Sequence, residues 1–193
     1  MIQTGATQSA AKKEVSLSID RLIYYAGWSD KFQQIFSAVN PVASNHFNFS
    51  TLEPTGVVSI IAPNENPLLG MISLLAPTIV GGNTTVILAS AINPLLAISL
   101  AEVLNTSDVP AGVVNILTGD REELLSHFAS HKDVNAIIYC GDNLKEIKVV
   151  EEMATENLKR VSIYRRKNRR GDTKEKKERA RKSHEVRVQA FRR

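Results

Sequence analysis

The side chains that could carry out chemistry are few and lie far apart in the sequence. Cys140 is the one cysteine, and no histidine close to it in sequence is placed to take its proton, so it is more typical of a small buried side chain than of a nucleophile. His127 and His131 are four residues apart, as two ligands on one helix face would be, but they lack an HExxH pattern and a third ligand. The sequence therefore predicts neither a catalytic residue nor a metal site.

Glu65 is a candidate general base, because it lies in a polar turn between two apolar segments. A carboxylate at this point has a second explanation, since an acidic side chain at the start of a helix is stabilised by the helix dipole. The sequence leaves both interpretations open.

The turn that contains Glu65 belongs to the segment around which the chain is organised, residues 53–101. The pattern there predicts an apolar strand, the polar turn, an apolar helix, a glycine-rich stop and a second strand; these cover residues 57–62, 63–67, 68–80, 81–83 and 84–88. Strand–helix–strand units of this kind build parallel sheets, and ligands bind such sheets at the carboxyl ends of the strands.

The same alternation continues to residue 164. Further strands are predicted at 113–117, 134–139 and 159–164, and helices at 95–104, 121–130 and 144–156, the first of them with Asn93 as N-cap and Pro94 at its first position. Five strands joined by four helices require crossover connections, so we expect an α/β fold with a mainly parallel sheet and helices on both faces.

The two ends of the chain have a different character. Residues 1–11 are small, polar and without period, and we expect them to be disordered. From Lys12 an amphipathic pattern predicts one long helix, or two with a break near Gly27, ending at Asn40-Pro41. Residues 41–48 are predicted to form a loop. The pattern also allows a short strand within 46–52.

Charge is distributed unevenly between a body and a tail. The chain has 24 basic and 20 acidic residues, and residues 165–193 hold 14 and 4 of them, a net of +10. Residues 1–164 therefore hold 24 − 14 = 10 basic and 20 − 4 = 16 acidic residues, a net of −6. We expect a folded domain at 12–164 and a disordered tail at 165–193 that contacts nucleic acid or an acidic protein, unless it is a solvated or artefactual terminus.

No apolar stretch reaches the roughly 20 residues that a membrane-spanning helix needs, and no secretory signal is visible. A single cysteine fits a reducing compartment. We therefore expect a cytoplasmic protein without a membrane span.

The order of the turns resembles the cofactor-binding half of the aldehyde dehydrogenase superfamily over roughly residues 17–163. The matching pieces are Glu53 to Val58, Pro63 to Pro67, Gly82 to Thr84, Pro94-Leu95, Val109 to Gly119 and Asn157 to Arg160. The resemblance implies a partial Rossmann-like fold, NAD or NADP as cofactor, and an oxidoreductase that acts on aldehydes.

Position by position, the resemblance also implies a degenerate cofactor site. Glu65 stands where the family has an oxyanion-holding Asn, and Leu88 to Ala91 replace a Lys-Pro-Ser/Ala-Glu stretch that contacts the adenosine ribose. Arg121 replaces the second glycine of a Gly-x-Gly, and Tyr139 to Asp142 replace a Phe-Thr-Gly-Ser turn at the pyrophosphate. The residual cofactor-binding residues would be Ala62, Pro63, Asn64, Gly119, Gly141 and Asp142.

The resemblance places the general base at Tyr164, which cannot serve, and the catalytic cysteine in a later domain that this sequence does not contain. We therefore expect a truncated family member with weak or lost cofactor binding and no activity of its own. The alternative is a non-enzymatic interaction or nucleotide-binding module. Its partners would be a second copy of itself or a full-length aldehyde dehydrogenase subunit, because the isolated half should expose apolar surface.

Overall fold

The computed structural model describes residues 5–165, so the basic tail predicted beyond Arg165 lies outside the described residues. The elements in chain order are α1 (Gln8–Ala26), α2 (Phe32–Phe36), β1 (Ala38–Asn40), β2 (Asn48–Ser50), β3 (Val57–Ile61), α3 (Pro67–Val80), β4 (Thr84–Leu88), α4 (Pro94–Asn105), β5 (Val114–Leu117), α5 (Arg121–Ser130), β6 (Ala136–Cys140), α6 (Leu144–Ala154), a 3-10 turn (Thr155–Asn157) and β7 (Arg160–Tyr164).

Five strands form one parallel sheet in the order β5-β4-β3-β6-β7, which confirms the predicted fold class. The chain starts at the central strand β3 and moves outward through β4 to β5. It then crosses back and adds β6 and β7 on the other side of β3. The order therefore reverses between β3 and β6, and in open α/β sheets a ligand crevice lies at such a switch point.

Helices cover both faces of the sheet, as predicted. Neighbouring residues along a strand point to opposite faces, so Ile60 packs with α3 and α4, and Ile61 packs with α5 and α6. Both side chains are fully buried. Strands that are buried on both faces read as continuous apolar runs. The sequence therefore predicts β3 and β4 to within one residue and β6 to within two.

The end of α3 is tied to the start of β3 by Asn83. This buried side chain accepts a hydrogen bond from the Gly56 amide at 3.0 Å and donates one to the Thr78 carbonyl at 3.1 Å. The glycine-rich stop predicted after α3 thus includes an asparagine that fixes the loop. Within residues 5–165, no helix combines the length and the hydrophobicity that crossing a membrane would require.

The amino-terminal region differs from the prediction in two ways. Helix α1 begins at Gln8, inside the stretch predicted to be disordered, because the Thr7 hydroxyl caps it by accepting a hydrogen bond from the Ala10 amide at 3.3 Å. The break after Gly27 is present, but α2 ends at Phe36. Residues 38–40 then pair antiparallel with 48–50 as a hairpin. Its first strand lies where the sequence predicts the end of a helix, whereas its second lies within the short strand that the pattern allows at 46–52.

Candidate functional site

The six predicted cofactor residues all lie at the carboxyl edge of the parallel sheet. Ala62, Pro63 and Asn64 follow β3, Gly119 follows β5, and Gly141 with Asp142 follows β6. Ala62 is fully buried, whereas Gly119 and Asp142 are exposed. The topology therefore brings these residues to the edge where a ligand is expected, and their role in binding remains a prediction.

Arg121, the first residue of α5, spans the switch point. Its guanidinium donates a hydrogen bond to the carbonyl of Ala62, at the end of β3. The guanidinium also lies 3.7 Å from the carboxylate of Glu146, in the first turn of α6, and the two side chains are only 12% and 19% exposed. The crevice between β3 and β6 is thus bridged by the protein's own ion pair.

Glu146 is held in place by two further side chains. The Tyr139 hydroxyl donates to its Oε2 at 2.8 Å, and the Asn143 amide donates to its Oε1 at 2.7 Å. Burial and this hydrogen bond to Glu146 raise the pKa of Tyr139 well above its usual range, although the Arg121 charge opposes them. The sequence analysis missed Glu146, but an Asn three residues before a Glu is a capping pattern that signals it.

The helix ends that face this edge already have acceptors. The Asn143 side chain accepts from the Lys145 amide at the start of α6, and the Asp120 carboxylate accepts from the Glu122 amide at the start of α5. Glu14 of α1 reaches the start of α3, where it accepts from the amides of residues 68 and 69 at 3.0 and 3.2 Å. A phosphate binds at a helix start through free amides and the helix dipole. Here side chains already accept from one or two of these amides at each helix start.

Cys140 is the last residue of β6 and is half-buried. Burial raises the pKa of its thiol, the Arg121 charge lowers it, and the Asp142 charge raises it. A thiolate is the reactive form of cysteine, so this environment makes Cys140 a poor nucleophile.

Two of the predicted glycines pack against the protein itself. A Cβ on Gly119 would lie 2.6 Å from Cδ1 of Leu124, and a Cβ on Gly141 would lie 2.8 Å from the Tyr139 hydroxyl. A side chain at Gly141 would collide with the buried Tyr139 ring, and one at Gly119 would require the Leu124 side chain to move, whether or not a ligand approaches them.

The turn after β3 is fixed by Ser90. The Ser90 hydroxyl donates to Oδ1 of Asn64 at 3.0 Å, and its oxygen accepts from the backbone amide of Asn93 at 3.4 Å. Asn93 is the N-cap of α4 and Pro94 is its first residue, as predicted, although the Asn93 side chain makes no capping bond. Glu65 is exposed, and Asn66 adopts a left-handed conformation with φ 44°.

The two histidines lie away from the crevice. His127 and His131 line a cavity of about 340 Å³ between α5 and the sheet, whose other walls are mostly apolar. Within residues 5–165, no group of three or more His, Cys, Asp or Glu side chains is arranged to hold a metal ion.

Comparison with known proteins shows a likeness to the aldehyde dehydrogenase family. The model of the aldehyde dehydrogenase family matches residues 1–164. The cytosolic 10-formyltetrahydrofolate dehydrogenase of Xenopus laevis is 32% identical over 164 residues, which are 84% of this chain and 18% of that protein. An aldehyde dehydrogenase of Agaricus bisporus is 33% identical over 163 residues, or 84% of this chain and 32% of that one.

A solved structure shows the same likeness. PnpE from Pseudomonas sp. WBC-3 superposes with a TM-score of 0.73 at 31% identity, over 78% of this chain and 30% of that chain. PnpE has also been solved in complex with nicotinamide adenine dinucleotide. This chain thus spans only 18% to 32% of the length of the relatives described above.

Proposed function

The chain belongs to the aldehyde dehydrogenase family, and from this membership we propose that residues 12–164 are a cofactor-binding domain that does not oxidise aldehydes by itself. The family implies NAD or NADP as the cofactor. In this chain Ala62, Pro63, Asn64, Gly119, Gly141 and Asp142 would form what remains of that site. We propose that binding there is weak or lost.

The observation that carries this proposal is the ion pair across the crevice. Arg121 and Glu146 close the gap between β3 and α6 at the switch point. The three helix starts at this edge already have side-chain acceptors, and Asp142 adds a negative charge next to the pyrophosphate position implied by the family. A dinucleotide would therefore meet carboxylates where it needs hydrogen-bond donors.

The residues that aldehyde oxidation needs are also replaced. The reaction requires a nucleophile, a base and donors for the developing oxyanion. An ionised carboxylate only accepts hydrogen bonds, so Glu65 cannot replace the family's oxyanion Asn. Cys140 lies on the cofactor side with a raised pKa, and Tyr164 occupies the position of the family's base.

The test is an activity assay on the purified 193-residue chain. Simple aldehydes and NAD or NADP should yield no more NAD(P)H than a protein-free blank, and an active aldehyde dehydrogenase serves as the positive control. Calorimetric titration with NAD, NADP and ADP should give no binding heat up to millimolar ligand. Reproducible NAD(P)H formation, or saturable binding at micromolar ligand, would contradict the proposal.

A second candidate function is an interaction module, which the charge asymmetry favours. Residues 165–193 carry a net charge of +10 next to a body of −6. We propose that this tail docks on nucleic acid or an acidic protein through salt-sensitive contacts. Deleting residues 165–193 should abolish binding to heparin or duplex DNA and remove its salt dependence, and unchanged binding after the deletion would exclude the idea.

A further inference from the structure

We propose that Arg121 is an internal plug of the crevice, which excludes dinucleotides by filling the gap between β3 and α6 with a guanidinium and its own counter-ion. This inference deepens the proposed function, because it names the residue that closes the site. Substituting that residue should reopen the site. Two contacts support this proposal: the guanidinium donates to the turn after β3 on one side of the switch point, and it pairs with a carboxylate of α6 on the other.

The plug is anchored at both ends. On one side the guanidinium donates to the Ala62 carbonyl, which belongs to the turn after β3. On the other side it faces Glu146, which Tyr139 and Asn143 hold by hydrogen bonds of 2.8 and 2.7 Å. A ligand that enters between β3 and α6 must break the first contact and the ion pair together.

Charge makes this displacement unfavourable. Arg121 is 12% exposed, so moving its guanidinium aside leaves the carboxylate of Glu146, itself 19% exposed, without its cation. The phosphates of a dinucleotide would then approach Glu146 and Asp142, and like charges at short range in a partly buried site repel. The plug therefore acts sterically and electrostatically in the same direction.

One feature of Arg121 would allow it to bind a phosphate instead of excluding a nucleotide. Its Nε–H is buried and has no hydrogen-bond partner within residues 5–165, so the guanidinium has spare capacity for an acceptor. If Arg121 received a phosphate, removing it would weaken nucleotide binding. If it is a plug, removing it strengthens binding. The sign of the change therefore decides between the two.

The experiment compares calorimetric titrations of the full chain and its variants with NAD and with ADP. Arg121→Ala and Arg121→Gly should bind NAD saturably below millimolar concentration, where the unsubstituted chain gives no binding heat. Glu146→Gln should give a smaller gain, because Arg121 keeps its bond to Ala62. Lys145→Ala is the matched control: it removes an exposed positive charge from the start of α6 without opening the crevice, and it should not strengthen binding.

Cys140 supplies a second measurement that needs no nucleotide. Its alkylation rate at high pH, where the thiol is fully ionised, reports access to the crevice. That limiting rate should rise severalfold in Arg121→Ala and stay unchanged in Lys145→Ala, with circular dichroism showing that each variant is folded. Equal or weaker NAD binding together with an unchanged limiting rate in Arg121→Ala would overturn the plug.

Failure of the plug and failure of the proposed function are distinguishable. The proposed function fails if the unsubstituted chain binds NAD at micromolar concentration or produces NAD(P)H. The plug fails if the unsubstituted chain is silent and both Arg121 variants, shown to be folded, are silent too.

Discussion

Tyr139 is the buried side chain that holds Glu146 beneath Arg121. Its hydroxyl is fully buried and donates to a carboxylate at 2.8 Å. A hydrogen bond to a charged group contributes about 1.5–3 kcal/mol, so Tyr139→Phe should lower the free energy of unfolding at pH 7 by about that amount. Urea denaturation measures the change, and an unchanged free energy of unfolding would contradict this role of the hydroxyl.

The same substitution should change how stability depends on alkaline pH. The folded pKa of Tyr139 is raised above the unfolded value of about 10, so its contribution is fully present below pH 10 and is lost as pH rises further. Tyr139→Phe should therefore lose less stability than the unsubstituted chain between pH 10 and 11. Lys159, whose pKa burial lowers, adds a slope of opposite sign to both proteins, so it cancels in the difference. Parallel curves for the two proteins would contradict this assignment.

Asp142 should control the ionisation of Cys140. Its negative charge raises the pKa of the thiol, in addition to the larger effect of burial. Asp142→Asn should shift the midpoint of the alkylation-rate profile to lower pH, while the midpoint stays above that of a free thiol because burial persists. Asp108→Asn, in the exposed turn after α4, is the control that should leave the midpoint where it was.

For single residues, the sequence predicted which family positions are replaced but not which contacts the new side chains make. That Arg121 stands in place of a glycine is visible from the resemblance alone. Its bond to Ala62 and its pairing with Glu146 depend on the distances between the end of β3, α5 and α6, which no local pattern contains. Gly119 and Gly141 are predicted as residual cofactor-binding residues, yet each also lies against a neighbouring side chain of the protein.

Among the elements, α3 depends on a cap supplied by another helix. Glu14 of α1 accepts from two amides at the start of α3, and the N-cap residue Asn66 makes no side-chain capping bond. Glu14→Ala should therefore destabilise the protein by about 1–2 kcal/mol, as loss of an N-cap does. Asp20→Ala, on the exposed side of the same helix, should change stability by less than about 0.5 kcal/mol. Equal effects of the two substitutions in thermal unfolding would exclude the capping role.

The junction between the 3-10 turn and β7 carries backbone strain. Leu158 has φ 55° and is 89% exposed, so it adopts a left-handed conformation without burying its side chain. Leu158→Gly should stabilise the protein by about 0.5–1 kcal/mol, because glycine adopts this conformation without a steric penalty. Leu144→Gly, at the exposed first residue of α6, should lower stability, and a loss from Leu158→Gly would show that the strain is compensated by contacts.

Burial explains why three of the strands are visible in the sequence. Strands β3, β4 and β6 are buried on both faces, so their apolar runs are long enough to stand out. The hairpin of β1 and β2 is mostly exposed and has three residues per strand, so burial leaves little pattern in its sequence: a short strand is indicated around β2, but β1 is not. Its pairing comes from contacts between segments eight or more residues apart, such as Val39 with Phe49.

On the scale of the whole molecule, α1, α2 and the hairpin leave apolar surface exposed. Ile23, Phe47 and Phe49 are 66%, 75% and 60% exposed, and the two phenylalanine rings lie 5.6 Å apart. We propose that this surface drives association of the isolated chain, since exposed apolar patches of this kind favour contact with other proteins.

The double substitution Phe47→Ser and Phe49→Ser should shift the chain towards the monomer in size-exclusion chromatography with light scattering at a fixed concentration. Leu144→Ser, which removes an exposed apolar side chain far from the hairpin, is the control and should leave the elution unchanged. A chain that elutes as a monomer without any substitution would contradict the association itself.

The strand order also determines how late in synthesis the central strand can be fully paired. The central strand β3 gains its second neighbour only when β6 appears, and the bond from the Val57 amide to Asn135 closes a span of 78 positions. At roughly 5–20 residues per second, a ribosome needs about 4–16 s to cover that span. During this interval the apolar edge of β3 has no partner on that side, so a nascent chain halted before residue 136 should need a chaperone that the finished domain does not.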